Sequence, residues 1–183
     1  QKSDLSAYLE DAARLPHELP EEADPHAGKI RQHTPEWFAI REGKVTASAV
    51  AGILGDNGTD KAALKLKYPK VFKGNADTRE GTDGEGKALR AFMSRRGKGL
   101  THTEGFFEQN EEYEGMGVSP DGTLKNKDGS SAGLLELKYL SPGSMEGAYN
   151  KYYDQLQFQM AITGEKEAHF YALNKEDTQK DIY

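Results

Sequence analysis

The fold is decided by the stretch Gly133-Leu134-Leu135-Glu136-Leu137-Lys138-Tyr139-Leu140. Its apolar residues read as a β-strand, and two charges interrupt it. Side chains alternate along a strand, so Glu136 and Lys138 share one face while Leu135, Leu137 and Tyr139 share the other. A lone carboxylate in such a strand is costly to bury unless a partner meets it. Just upstream, Gly117-Val118-Ser119-Pro120-Asp121-Gly122 ends a short strand in a turn. A meander through the turn at Lys127-Asp128-Gly129 brings Asp121 beside Glu136. Two carboxylates and an amine then converge. Carboxylates are the ligands a hard divalent cation prefers, and an adjacent lysine can hold a bound water or stabilise charge on a phosphate.

Outward from this stretch, the periodicity predicts helices at 35–41, 47–54, 60–68, 82–96 and 144–162. Thr34 is the N-cap of the first helix and Pro35 its first residue. Strands are expected at 100–108, 113–118, 123–125, 133–140 and 167–173, with another able to begin at Asp181. Helices, then a meander, then helix and strand describe an α/β protein whose central mixed sheet is flanked by helices. The domain is expected to span 34–183. Residues 1–33 read as an acidic arm or extra helix, with a short amphipathic segment at 4–14.

Composition narrows the chemistry. The chain has 183 residues, no cysteine, 36% hydrophobic and 30% charged residues, and a net charge of −6. Zero cysteine excludes a disulfide scaffold, a thiolate zinc site, an iron–sulfur cluster and a cysteine nucleophile. No apolar run approaches the roughly 18 residues that a spanning helix needs. The acidic start has no apolar leader segment, so an intracellular location is expected. Charge is uneven: residues 61–100 carry eleven Lys or Arg against four Asp or Glu. Such a stretch is either a solvated helix face or a surface for phosphates. The five histidines are scattered and read as surface or packing residues. The run Gly81-Thr82-Asp83-Gly84-Glu85-Gly86 does not follow a strand and lacks the Lys-Ser/Thr of a nucleotide-binding loop.

Pro120-Asp121, fourteen intervening residues, and Glu136-Leu137-Lys138 together resemble the catalytic motif of the PD-(D/E)xK nuclease superfamily. Four further matches follow in order. These are Trp37-Phe38-Ala39-Ile40-Arg41 with Gly43 and Thr46-Ala47-Ser48; Gly81, Glu85 and Ala88; the extended Gly117 to Gly122 run; and Gln155-Leu156-Gln157-Phe158-Gln159-Met160. The chain thereby resembles, over about 34–173, the phage-type exonuclease family of lambda exonuclease and the YqaJ viral recombinases.

The resemblance implies a PD-(D/E)xK, restriction-endonuclease-like core. It also implies Mg²⁺-dependent, 5′→3′ hydrolysis of linear duplex DNA, exposing a 3′ single strand for recombination by annealing. One or two Mg²⁺ ions, or Mn²⁺ in their stead, would be held by Glu85, Asp121, Glu136 and the backbone carbonyl of Leu137. Lys138 would activate or position the attacking water. Gln157 would reach the site from the long helix. Helical spacing keeps Gln155 as a rival, since 155 and 159 share a face from which 157 points away. Arg41, Ser48 and Ser119 would bind a terminal 5′-phosphate. For Arg41 a helix C-terminal charge, and for Ser48 an N-cap, are the ordinary alternatives.

Duplex contact would fall to Lys61, Lys65, Lys67, Arg79, Arg90, Arg95 and Arg96. The family implies a single-strand annealing protein as partner, a homotrimeric ring, and a phage or prophage setting. The competing readings are a restriction-like endonuclease of the same superfamily and a DNA-binding recombination module without catalysis. A Cas4-like nuclease is disfavoured because it needs cysteines.

Overall fold

The computed structural model describes residues 29–55 and 76–183, with side chains of the second segment from Gly84 onward. The helices expected at 4–14 and 60–68, and the side chains of Lys61, Lys65, Lys67 and Arg79, lie outside the described residues. We number the described elements in chain order: α1 (Pro35–Arg41), β1 (Val45–Thr46), α2 (Ala47–Leu54), α3 (Ala76–Arg95), β2 (Thr101–Glu104), β3 (Met116–Gly117), β4 (Gly122–Lys125), β5 (Ser131–Leu140), α4 (Pro142–Met145), α5 (Ala148–Thr163), β6 (Ala168–Asn174) and β7 (Asp181–Ile182).

Five strands form a mixed sheet in the order β2-β4-β5-β6-β7. The pairs β2–β4, β4–β5 and β6–β7 are antiparallel, whereas β5 and β6 run parallel and are joined through α4 and α5. Helices cover both faces. Ala88 and Phe92 of α3 pack with Leu124, Leu135, Leu137, Tyr171 and Leu173 on one side. Ala148 and Leu156 of α5 pack with Phe170 and Ala172 on the other. Central strands buried on both faces read as continuous apolar runs, which is why β5 and β6 are so hydrophobic.

A bulge fixes which side of β5 faces which helix. Leu124 pairs with Gly133, but Lys125 pairs with Ser131, so one residue of β5 is extra. Gly133 has φ 99, and a Cβ there would lie 2.5 Å from the Glu167 carbonyl oxygen. The extra residue reverses the alternation, so Ala132 and Leu135 both face α3. Glu136 and Lys138 consequently face α5.

Thr34 caps α1 as expected: its hydroxyl accepts from Trp37 N–H at 3.2 Å. Helix α2 has the expected bounds. Several boundaries differ. Expected strand 113–118 is a 3-10 turn at Glu111–Tyr113 followed by two strand residues, which pair in parallel with β1. Gly115 takes φ 77 between them and breaks the strand. The helix expected over 144–162 is split by Gly147 at φ 72 into α4 and α5. Residues 29–33, grouped with the arm in the sequence, lie on the sheet end: Arg31 bridges to Phe106, and Phe107 N–H donates to the Ile30 carbonyl at 2.9 Å. Among the described residues, no helix is long and apolar enough to cross a membrane.

Candidate active site

Asp121 stands one residue before β4, and Gly122 pairs with Leu135, so the register sets Asp121 opposite Glu136. Close backbone contact holds this turn. A Cβ on Gly105 would fall 1.8 Å from the Pro120 carbonyl oxygen, and one on Gly122 would fall 2.2 Å from Nε2 of His102. Leu137 N–H donates to Asp121 Oδ2 at 2.6 Å. Glu136 is 2% exposed and is satisfied by three side-chain donors. Lys138 Nζ and Gln155 Nε2 both donate to its Oε1. Gln159 Nε2 donates to its Oε2 at 2.7 Å. Lys138 Nζ also donates to the Leu137 carbonyl at 2.9 Å and lies 3.9 Å from Asp121 Oδ2.

The charges reinforce one another. Burial opposes the Lys138 ammonium, but Glu136, Asp121 and Glu85 together hold its pKa above the usual lysine range, so it stays protonated. Burial and the neighbouring Glu136 push Asp121 well up. Glu85, from α3, is raised to about 7, mainly by burial. These groups crowd more negative charge than one lysine comfortably balances. Among the described residues no three His, Asp or Glu groups stand ready to hold one ion. The Lys138 ammonium is already bonded to Glu136 and Leu137, two groups expected around a metal. Carboxylate and carbonyl oxygens such as those of Asp121, Glu136 and Leu137 are the donor types that a small divalent cation takes. The donor set therefore fits Mg²⁺ or Mn²⁺ chemically.

Two cavities meet at Asp121 and Gln32. One, of about 280 Å³, is lined by Arg41, Ser48 and Ser119 together with Asp121, Glu136 and Lys138. Its far wall is organised by Trp37, whose indole N–H donates to Ser119 Oγ at 2.8 Å. The Arg41 guanidinium stacks 3.7 Å from the Trp37 ring centroid. Burial lowers the Arg41 pKa to about 10, which still leaves it charged at neutral pH. A half-buried cation, two serine hydroxyls and a helix start are groups that attract negative charge. The second cavity, of about 330 Å³, is lined by Glu85, Asp121, Glu104, His33 and His102.

The structure thus brings together Asp121, Glu136, Lys138 and Glu85, and joins them to Arg41, Ser48 and Ser119. Gln157 is a correction. It is exposed, because it points to the opposite side of α5 from Gln155 and Gln159. Arg95 and Arg96, expected to touch duplex, both pair with Asp181, at 2.8 Å and 3.2 Å. The sequence reading also missed three features. Gln32 donates to the Pro120 carbonyl at 2.8 Å and lines both cavities. Trp37, quoted above only as part of a motif, holds the Ser119 and Arg41 side chains. His33 and His102, distant in sequence, share a cavity. Helical spacing set Gln155 and Gln159 on one face and Gln157 on another without saying which face meets Glu136, and no local signal marks Gln32.

The sequence profile of the YqaJ-like viral recombinase domain matches residues 36–166. Among curated proteins, no sequence matches the chain. Among solved structures, the chain is similar to an alkaline exonuclease, LHK-Exo, from Laribacter hongkongensis. The two are 27% identical with a TM-score of 0.68, over 81% of this chain and 79% of that one. It is similar also to LHK-Exo in complex with dAMP, at 28% identity and a TM-score of 0.67, over 81% of this chain and 82% of that one.

Proposed function

The chain belongs to the family of YqaJ-like viral recombinase domains, and from that membership we propose a metal-dependent 5′→3′ exonuclease that digests linear duplex DNA from a phosphorylated end. The observation that carries this reading is the cavity in which Arg41, Ser48 and Ser119 lie opposite Asp121, Glu136 and Lys138. A terminal phosphate held at the first group would set the next phosphodiester near the second, so only an end fits productively.

Asp121, Glu136 and the Leu137 carbonyl would hold Mg²⁺, with Glu85 completing the acidic wall. A bound divalent ion supplies Lewis acidity and lowers the pKa of water at the site. Lys138 remains protonated, so its role is to hold the attacking water and offset charge on the phosphate. Gln155 holds Glu136 Oε1 beside the cavity. Arg41 binds and orients the terminal phosphate, with Trp37 behind it. A ring of three copies, a single-strand annealing partner, and a phage-infected or prophage-bearing cell complete the reading.

The test is a gel of end-labelled linear duplex, beside closed circles, with Mg²⁺ or EDTA. We expect loss of 5′ label first, no cutting of circles, and no activity in EDTA. Asp121→Asn should lower the rate about 1000-fold or more, as several kcal/mol of charge stabilisation would vanish. Nicked circles would favour an endonuclease, and binding without cutting a scaffold; either outcome overturns the proposal.

A further inference from the structure

Glu136 Oε1 and Oε2 are held differently. Oε1 accepts from Lys138 and Gln155, which line the cavity together with Gln159. Oε2 accepts from Gln159, 2.7 Å away. Gln159 is fully buried, at 0% exposure. Its own carbonyl oxygen is buried without a hydrogen-bond partner among the described residues. Turning the amide round would set that oxygen against the Glu136 carboxylate, so the N–H must face Glu136.

An apolar residue of equal length would fill the same space and leave no carbonyl unpaired. Packing alone therefore does not account for an amide here. What the amide adds is its N–H. With Oε2 fixed to α5, the carboxylate cannot rotate, and Oε1 stays directed toward Lys138 and Asp121.

We propose that Gln159 is a positioning residue for the divalent cation, acting through Glu136. This rests on the metal-dependent nuclease reading and adds a residue to it. Partners behind metal ligands typically change affinity 10–100-fold when removed.

The experiment titrates Mn²⁺ into the full chain by calorimetry, without DNA, and follows unfolding in EDTA. The proteins compared are the native chain, Gln159→Leu, Gln159→Met, Asp121→Asn and the exposed control Gln157→Leu. We expect both Gln159 variants to fold, to bind Mn²⁺ 10–100-fold more weakly, and to keep the native KM for duplex. Gln157→Leu should match the native chain. A folded Gln159 variant with native Mn²⁺ affinity overturns the inference while leaving the nuclease reading intact. Failure of both variants to fold overturns it too, by assigning Gln159 to packing. If the native chain binds no Mn²⁺, or Asp121→Asn binds it equally well, the metal reading itself falls.

Discussion

Glu85 and Asp121 carry raised pKa values because burial and neighbouring carboxylates disfavour their charged forms. A carboxyl with a folded pKa above its unfolded value binds its proton more tightly when folded. Its contribution to stability is complete below the unfolded pKa and is lost as pH rises through the folded one. For Glu85 that window runs from 4.5 to about 7. In EDTA, the melting temperature should therefore fall across this range, and Glu85→Gln should flatten the fall. Excess Mg²⁺ should also flatten it, by supplying the missing positive charge. A melting temperature that rises over the same interval would contradict the direction of the shift. The glycines beside Asp121 are equally specific. Gly105→Ala would force a Cβ to within 1.8 Å of the Pro120 oxygen. Moving that backbone should cost roughly 1–3 kcal/mol, read as a lower midpoint in urea, and should disturb Asp121 as well.

Among the elements, α1 and α5 each present one functional face. In α1, Trp37 and Arg41 are four residues apart and share a side. Trp37 is 7% exposed, yet its ring edge and face serve Ser119 and Arg41. Trp37→Phe keeps an aromatic face and deletes the indole N–H. We expect it to fold, and to lose part of the rate advantage of a 5′-phosphorylated end over a 5′-hydroxyl end. Arg41→Ala should remove that advantage almost entirely, and equal rates on both ends in the native protein would dismiss the pocket assignment. In α5, Ala148, Leu156 and Tyr152 meet the sheet, while Gln155 and Gln159 meet Glu136. One helix thus closes the core with one set of side chains and meets Glu136 with another.

At the scale of the molecule, β7 ties the end of the described chain back to α3. Asp181 accepts from Tyr171 at 2.8 Å, from Arg95 at 2.8 Å and from Arg96 at 3.2 Å. Its side chain is only 10% exposed. Asp181→Ala leaves the buried Tyr171 hydroxyl without its acceptor, whereas Arg95 keeps the Thr178 carbonyl. The denaturation midpoint should fall, because a buried hydroxyl left unpaired destabilises the fold. Nuclease activity at low temperature should survive, because this cluster joins α3, β6 and β7 without contributing to either cavity at Asp121. It also pairs Arg95 and Arg96 with an acid while leaving both on the surface.

Some of this was legible in the amino-acid order alone. The apolar run of β5 with charges at 136 and 138, the Pro-Asp-Gly turn, and the Thr34–Pro35 helix start all depend on neighbours within a few residues. Local periodicity and turn chemistry report such features directly. The choice among Gln155, Gln157 and Gln159 was not legible, because it required knowing which face of α5 lies on Glu136. That face is set by how α5 packs on the sheet, through Ala148 and Leu156 against Phe170 and Ala172. Gln32 and Trp37 find their partners only through contacts 88 and 82 positions away in the chain, and His33 and His102 meet only as walls of one cavity. Chain order determined which elements form and which charges had to be explained. Packing decided which side chains meet, because burial and hydrogen bonding select partners by distance in space.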